Sequence, residues 1–159
     1  GFDEYEYDLI YKYCKKLKID FIITPFDIDN VDFFKRRVKF FKISSSDITN
    51  IQLIEKIADT KKDVIISSGA SNNKEIKFAL DILKRKCKKI ILLHCILNYP
   101  TKIENANLNM IDDLKKYGYE VGISDHTLPK DSMTVLSYAY IKGVNVQKQL
   151  TNEPHFLAQ

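Results

Sequence analysis

The feature that most constrains this chain is a short apolar run, rich in Ile, Val and Phe, that recurs along it between amphipathic segments. The runs occupy residues 19–24, 38–44, 63–68, 89–95, 119–124 and 144–150. Helix-like segments occupy residues 7–17, 31–36, 51–60, 74–86, 109–118 and 131–143. Runs that are apolar on both faces and regularly separated by helices predict a parallel α/β sheet that is covered on both sides.

These repeating units use essentially all of the 159 residues, so the sequence predicts one domain over residues 1–159 and no second domain. A closed barrel of eight βα units typically takes about 250 residues. We therefore expect either an open doubly wound sheet or a barrel that lacks two units. Asn72 and Glu75 have the spacing of a capping box, which predicts that a helix begins after Asn72.

Composition excludes several classes of protein. The chain is 45% hydrophobic and 29% charged, which is typical of a folded globular domain. No apolar run approaches the roughly 18 residues that span a bilayer, and the first residues do not resemble a secretory signal, so we expect a cytoplasmic protein without a membrane partner. The net charge of +4 comes from interspersed signs, so a nucleic-acid partner is not expected, although an anionic small molecule suits this balance.

The three cysteines have neither CxxC nor zinc spacing, which indicates reduced thiols. Cys14 and Cys87 fall in helix patterns and are interpreted as packing or surface residues. Cys95 ends an apolar run beside His94, so a nucleophile is conceivable, although packing is the preferred interpretation.

Polar side chains collect where the apolar runs end, which is where parallel sheets bind ligands. The groups are Thr24–Asp27, Lys42 with Ser44–Asp47, Ser67–Gly69, His94–Thr101 and Ser124–Thr127. Small hydroxyls near a lysine are what a phosphate or carboxylate requires. Burying Lys42 between Phe41 and Ile43 would be costly without an anion, so we expect it to meet one. The alternative is a structural ion pair with Asp27 or Asp47.

Histidines and carboxylates among these groups leave several roles open. His126 could be a metal ligand whose second nitrogen is oriented by another acceptor, or simply a satisfied polar residue. His94 suits a buried hydrogen-bonded role as well as a site role. Asp27 and Asp47 could act as a general acid or base, as orienting groups or as metal ligands, and spacing alone does not separate these.

Taken together, the segments ITPFD, FFKISSSDITN, VIISSGA, ILLHCILNYPT and GISDHTLP resemble the sialic acid synthase family, whose members make nonulosonic acids. The resemblance covers roughly residues 7–151. It implies a (β/α)8 TIM-type barrel that is incomplete here, with about six βα units corresponding to strands three to eight. It also implies condensation of phosphoenolpyruvate with an N-acetylated amino-sugar aldehyde of the N-acetylmannosamine type, with Mn²⁺ or Mg²⁺ as cofactor and phosphate as the leaving group. The family suggests a homodimer.

The resemblance also implies roles for individual residues. Asp47 falls on a glutamate that handles protons, Tyr99 falls on the sugar site and His126 falls on a metal ligand. The positions that hold phosphoenolpyruvate in the family correspond to Thr24, Lys42, Ser45, Ser67 and Ser124.

The sequence departs from the family pattern in the last apolar run. Gln149 stands where the family has its second metal histidine, Gln147 replaces a glutamate, and Leu97 replaces a polar residue. Two other functions therefore stay open: an inactive or truncated relative that only binds phosphoenolpyruvate or sugar, and an aldolase in which Lys42 is a catalytic Schiff-base lysine. The sequence does not indicate which amino sugar is accepted.

Overall fold

A computed structural model describes residues 2–128 and 134–149, except for the side chains of Lys148 and Gln149. Its strands are β1 (Phe40–Ile43), β2 (Asp63–Ser67), β3 (Ile90–Cys95), β4 (Glu120–Asp125) and β5 (Gln147–Gln149). Its helices are α1 (Glu4–Leu17), α2 (Ile28–Phe34), α3 (Ile51–Asp59), α4 (Asn73–Leu83), α5 (Met110–Lys115) and α6 (Thr134–Ile141). Short 3-10 turns lie at Ser45–Asp47 and Ile103–Asn105. Residue 150 of the last predicted run and residues 131–133 of the last helix segment lie outside the described residues.

The strands form one parallel sheet in the order β1-β2-β3-β4-β5. A doubly wound sheet reverses its strand order at a switch point, and this order does not reverse. The open doubly wound alternative is therefore wrong for the described part of the chain. Since parallel crossovers are almost always right-handed, a sequential order carries every connecting helix to the same face of the sheet.

The core confirms that the helices cover one face. One large buried cluster joins the helices to alternate strand residues such as Phe41, Ile66 and Leu92. On the opposite face, the buried apolar residues are Ile65, Ile91 and Leu93, and these come from strands alone. For residues 2–128 and 134–149, the expectation of a sheet covered by helices on both sides is thus wrong, because the crossovers return on the same side.

The first predicted run, residues 19–24, does not form a strand in the structure. It makes a single parallel bridge between Ile23 and Phe41, and the Lys42 backbone N–H donates to the Ile23 carbonyl at 2.9 Å. Ile19 and Ile22 are largely exposed. Among the described residues, this run pairs only with β1, and only at Ile23. Its backbone is therefore not hydrogen-bonded along its length as that of a strand would be. The other predicted runs contain β1 to β5.

The helices differ in how they use their apolar residues. On α3, Leu53, Ile54 and Ile57 are fully buried against the sheet. Cys87, just after α4, packs in the same cluster, and burial raises the pKa of its thiol to about 11, which agrees with a packing role. Among the described residues, no helix combines the length and apolar character needed to cross a bilayer.

The predicted capping box at the start of α4 is confirmed. The Asn72 side-chain oxygen accepts from the backbone N–H groups of Lys74 at 2.9 Å and Glu75 at 3.1 Å, while the Glu75 carboxylate accepts from the Asn72 N–H at 2.8 Å. We expect Asn72→Ala to lower the free energy of unfolding by about 1 kcal/mol, because it leaves these donors without their acceptor. Urea unfolding followed by circular dichroism would measure this. Asn72→Asp keeps the acceptor and should retain most of the stability; equal losses in both variants would contradict the capping role.

Candidate active site

Lys42 and Ser67 meet on the sheet face opposite the helices, near the carboxyl ends of β1 and β2. The Lys42 Nζ donates to the Ser67 Oγ at 2.7 Å and to the Ile43 carbonyl at 3.0 Å. Only 8% of Lys42 and 1% of Ser67 are exposed. The structure therefore places a buried ammonium group beside a buried hydroxyl at the end of the sheet where parallel sheets bind ligands.

The two carboxylates proposed as structural partners of Lys42 bond elsewhere in the described part of the chain. Asp27 caps α2, where its side chain accepts from the Asn30 N–H at 2.8 Å. The Asp47 carboxylate accepts from the Ser46 hydroxyl at 3.1 Å. No ion pair joins Lys42 to either carboxylate among the described residues. The structure therefore does not show the ion pair with Asp27 or Asp47 that was the alternative for Lys42.

Ser45 and Asp47 lie on the 3-10 turn that directly follows β1. Ser45 is buried, with 8% of its surface exposed, whereas Asp47 is half-buried. The turn begins at Ser44, whose hydroxyl accepts from the Ser46 N–H at 3.4 Å. Both predicted residues thus lie at the same end of the sheet as Lys42.

A second cluster surrounds His126 at the end of β4. The His126 Nδ1 lies 2.7 Å from the Ile96 carbonyl, which can only accept, so Nδ1 carries the proton in this arrangement. In a neutral ring Nε2 is then an acceptor, and it lies 2.9 Å from the Tyr99 hydroxyl and 3.2 Å from the Ser124 hydroxyl. The Tyr99 ring also stacks on the imidazole, with ring centroids 3.9 Å apart. Sequence reasoning did not find the Ile96 carbonyl, because a backbone acceptor leaves no signal in residue type.

The loop after β3 holds Tyr99 over this imidazole. The Thr101 N–H donates to the His126 carbonyl at 2.8 Å, and Thr101 forms a parallel bridge with Thr127. Cys95, on β3, lies with its Sγ 3.9 Å from the His126 Nδ1 and is 3% exposed, which agrees with packing.

His94 and Asp125 are both engaged within the protein interior. The His94 Nε2 lies 2.7 Å from the Ala106 carbonyl, and burial lowers the pKa of His94 below its usual 6.5. The Asp125 carboxylate accepts from the Thr127 N–H at 2.9 Å and from its hydroxyl at 3.1 Å. Of the two roles left open for His94, the structure shows the buried hydrogen-bonded one.

The His94 environment predicts a pH dependence of stability. A folded-state pKa below the unfolded value means that the unfolded chain takes up a proton first as the pH falls. The contribution is therefore fully present above about pH 6.5 and is lost as the pH falls from there towards the folded-state pKa. We expect the urea midpoint to decrease over this range and to decrease less in His94→Gln, which cannot titrate. The same decrease in both proteins would exclude His94 as the cause.

The described residues fit a divalent cation only in part. A neutral imidazole with a fixed Nδ1–H and an accepting Nε2, as His126 has, is the form that ligates metals. Within residues 2–128 and 134–149, however, no three His, Cys, Asp or Glu side chains lie together as a metal site. The Gln149 side chain lies outside the described part, so the structure does not place it relative to His126.

The predicted site residues thus form two hydrogen-bonded groups at the carboxyl ends of neighbouring strands. One joins Lys42 to Ser67, and the other joins Tyr99 and Ser124 to His126. The remaining predicted residues, Thr24, Ser45 and Asp47, lie at the same edge of the sheet. Thr24 follows the residue that bridges to β1 and is half-buried.

Comparison with known proteins gives a family and several relatives. A family model described as the NeuB family matches residues 1–156. An uncharacterized protein of Methanocaldococcus jannaschii is 41% identical, covering 98% of this chain and 48% of that protein. The N,N'-diacetyllegionaminic acid synthase of Campylobacter jejuni is 41% identical over 72% of this chain and 36% of its own length. The chain thus spans less than half the length of these relatives.

Solved structures show the same fold. A sialic acid synthetase from Leptospira borgpetersenii, in complex with citrate, matches with a TM-score of 0.88 and 36% identity, covering 95% of this chain and 53% of that one. A truncated 3-deoxy-D-arabino-heptulosonate 7-phosphate synthase from Thermotoga maritima matches with a TM-score of 0.80 at 17% identity, covering 100% of this chain and 64% of that one. The second likeness concerns the fold alone.

Proposed function

Because the chain belongs to the NeuB family, we propose that the whole protein condenses phosphoenolpyruvate with an N-acetylated amino-sugar aldehyde of the N-acetylmannosamine type. The products are a nonulosonic, sialic-type acid and phosphate. Relatives named as synthases of legionaminic and pseudaminic acids, at 41% and 34% identity, support this class of reaction. We also propose that the chain supplies strands three to eight of a (β/α)8 barrel, which its sequential parallel strand order supports.

The observation that carries the proposal is the buried pair formed by Lys42 and Ser67. An ammonium group surrounded by protein attracts an anion more strongly than one in water, because the local dielectric is lower. A phosphate or carboxylate oxygen placed beside this pair would receive a charge-assisted hydrogen bond from Lys42 and a further bond from the hydroxyl. The hydroxyls of Thr24, Ser45 and Ser124 extend the proposed anion site along the same edge.

The reaction balances without an external oxidant or reductant. Carbon 3 of phosphoenolpyruvate forms a bond to the aldehyde carbon, and the aldehyde oxygen takes a proton to become a hydroxyl. Water adds to carbon 2, the bond from carbon 2 to the phosphate oxygen breaks, and phosphate leaves. In this proposal Lys42 holds the anion, Asp47 handles a proton at the rim and Tyr99 lines the sugar site.

A divalent cation, Mn²⁺ or Mg²⁺, belongs to the proposal as cofactor, with the His126 Nε2 as one of its ligands. When bound, such a cation would supply positive charge at the aldehyde oxygen. His126 would have to exchange its bonds from the hydroxyls of Tyr99 and Ser124 for the cation. Its Nδ1–H would stay on the Ile96 carbonyl and keep the ring oriented.

The test is phosphate release by the whole protein from phosphoenolpyruvate and N-acetylmannosamine in the presence of Mn²⁺, with mass spectrometry of the product. We expect release that depends on both substrates and stops when EDTA is added. Related amino-sugar aldehydes should be tried in parallel, because the accepted sugar is open. Absence of release with every such aldehyde would reject the proposal. Binding of phosphoenolpyruvate without any turnover would favour the inactive relative.

The buried position of Lys42 also supports the second candidate, a Schiff-base aldolase. A desolvated amine is a competent nucleophile towards a keto acid. Borohydride reduction in the presence of pyruvate would then attach the keto acid covalently to Lys42, which peptide mass spectrometry would detect. An unlabelled protein that releases phosphate from phosphoenolpyruvate would exclude this candidate.

A further inference from the structure

Gly69, on the turn between β2 and α4, lies against the turn that carries Ser45. Its φ is +47°, and a Cβ placed on it would come within 2.1 Å of the Ser45 Cβ, 2.9 Å of the Ser45 Oγ and 3.2 Å of the Ser45 Cα. Real Cβ atoms essentially never lie within 3.0 Å of such atoms. Ser45 therefore occupies the space that a side chain at position 69 would need.

The Gly69 turn is tied to the neighbouring strand β3 at its start and is closed by a hydrogen bond of its own, which limits how far it can withdraw. The Ser68 N–H donates to the Leu93 carbonyl on β3 at 2.9 Å, and the Ser71 N–H donates to the Ser68 carbonyl at 3.2 Å. Ser68 is only 4% exposed. A side chain at position 69 would thus displace Ser45, because the turn that contains Gly69 is fixed to its neighbouring strand.

We propose that Gly69 is a positioning residue that sets the place of the Ser45 hydroxyl relative to the buried pair of Lys42 and Ser67. Gly69 is two residues from Ser67, and Ser45 is three residues from Lys42, so this one contact connects the two strand ends that carry the pair. The inference rests on the proposed function, in which Ser45 donates to the anion.

The positive φ of Gly69 is a second reason why position 69 favours glycine, independent of the contact with Ser45. Substitution of Gly118 distinguishes the backbone effect from the contact. Gly118 has a φ of +80°, and a Cβ placed on it meets nothing within 4 Å. Gly118→Ala therefore carries the backbone cost of a left-handed alanine without a steric contact. It lies outside the residues to which we assign binding roles, so it should leave affinity for phosphoenolpyruvate unchanged.

The experiment is a double-mutant cycle in the whole protein with Gly69→Ala, Ser45→Gly and the combined variant, with Gly118→Ala as control. Calorimetry with phosphoenolpyruvate and urea unfolding are measured on each. We expect Gly69→Ala to raise the Kd for phosphoenolpyruvate about 10- to 100-fold, because a displaced Ser45 hydroxyl would no longer form its hydrogen bond to the charged ligand. Gly118→Ala should keep the wild-type Kd.

The combined variant tests positioning separately from packing. Removing the Ser45 side chain relieves the two shortest contacts of the alanine and leaves the backbone Cα at 3.2 Å, so the urea midpoint of the combined variant should recover towards that of Ser45→Gly. Its Kd should equal that of Ser45→Gly alone, since no hydroxyl remains to be misplaced. If Gly69→Ala weakens binding by the same factor with and without the Ser45 side chain, or leaves the Kd unchanged, the positioning role is overturned.

The outcomes distinguish this inference from the proposed function. Failure of the wild-type protein to bind phosphoenolpyruvate would overturn the proposed function and the positioning role that rests on it. Binding by the wild type that is insensitive to Gly69→Ala would overturn the inference alone.

Discussion

Replacing Lys42 with methionine is expected to weaken binding of phosphoenolpyruvate by the whole protein about 10- to 150-fold. A hydrogen bond to a charged group is worth about 1.5–3 kcal/mol, and methionine keeps the length of the side chain while removing the ammonium group. The Ser67 hydroxyl would also lose the donor that lies 2.7 Å from it. Calorimetry, together with the KM for phosphoenolpyruvate in the phosphate-release assay, would measure the effect.

Lys39→Met is the matched control for this substitution. Lys39 precedes β1 by one residue, and its side chain is 64% exposed and 4.0 Å from the Asp20 carboxylate. Lys39→Met removes one positive charge, as Lys42→Met does, but at a position outside the buried pair. Its Kd for phosphoenolpyruvate should lie within about twofold of the wild-type value, as expected for a screened surface charge. Equal affinities for wild type and Lys42→Met would show that the anion binds elsewhere. Loss of covalent pyruvate labelling with unchanged affinity would support the aldolase.

Replacing Leu92 with alanine is expected to lower the free energy of unfolding by about 2–5 kcal/mol, the largest stability effect predicted here. Leu92 lies in β3, which pairs with both β2 and β4, and it is fully buried on the face that packs against the helices. Truncation removes apolar contacts and leaves a cavity that the paired strands cannot easily close. Urea unfolding followed by circular dichroism would measure the loss.

Leu92→Met keeps most of the volume and should cost less than about 1.5 kcal/mol. Similar losses for the two variants would show that shape and not volume determines packing at this position. A loss below about 1 kcal/mol for the alanine variant would contradict the placement of β3 at the centre of the core.

Apolar periodicity predicted β1 to β4 because a buried parallel strand needs apolar side chains on both faces, and such runs are distinct in sequence. The last predicted run contains β5, but the strand itself, Gln147–Gln149, lies in the polar part of that run. Residues 19–24 have the same composition, yet they bridge to β1 only at Ile23. Composition reports that a run can be buried, but it does not report how many of its backbone groups find a partner. Strand order was likewise open until the pairing showed that it is sequential.

The candidate site was predictable where the chemistry resides in side chains. The grouping of Lys42 with Ser67 follows from their places at the ends of parallel strands, and the structure shows them bonded. The carbonyls of Ile96 and Ala106, which fix the two histidines, were not predictable, since every residue carries a carbonyl. The fit of Ser45 against Gly69 was also missed, although a glycine just past the end of a predicted apolar run is a signal that could have indicated a close approach.

Three buried apolar strand residues, Ile65, Ile91 and Leu93, lie on the same face of the sheet as Lys42 and Ser67 and affect how the site would tolerate change. Ile65 is the β2 partner of Lys42, and Leu93 is the β3 partner of Ser67, so hydrocarbon lies directly beside the polar pair. Water admitted there would screen the ammonium charge. A polar substitution at Ile65 would therefore weaken the attraction of Lys42 for an anion, although Ile65 has no polar side-chain atom with which to bind that anion. Selection for anion affinity would thus act on apolar side chains as well.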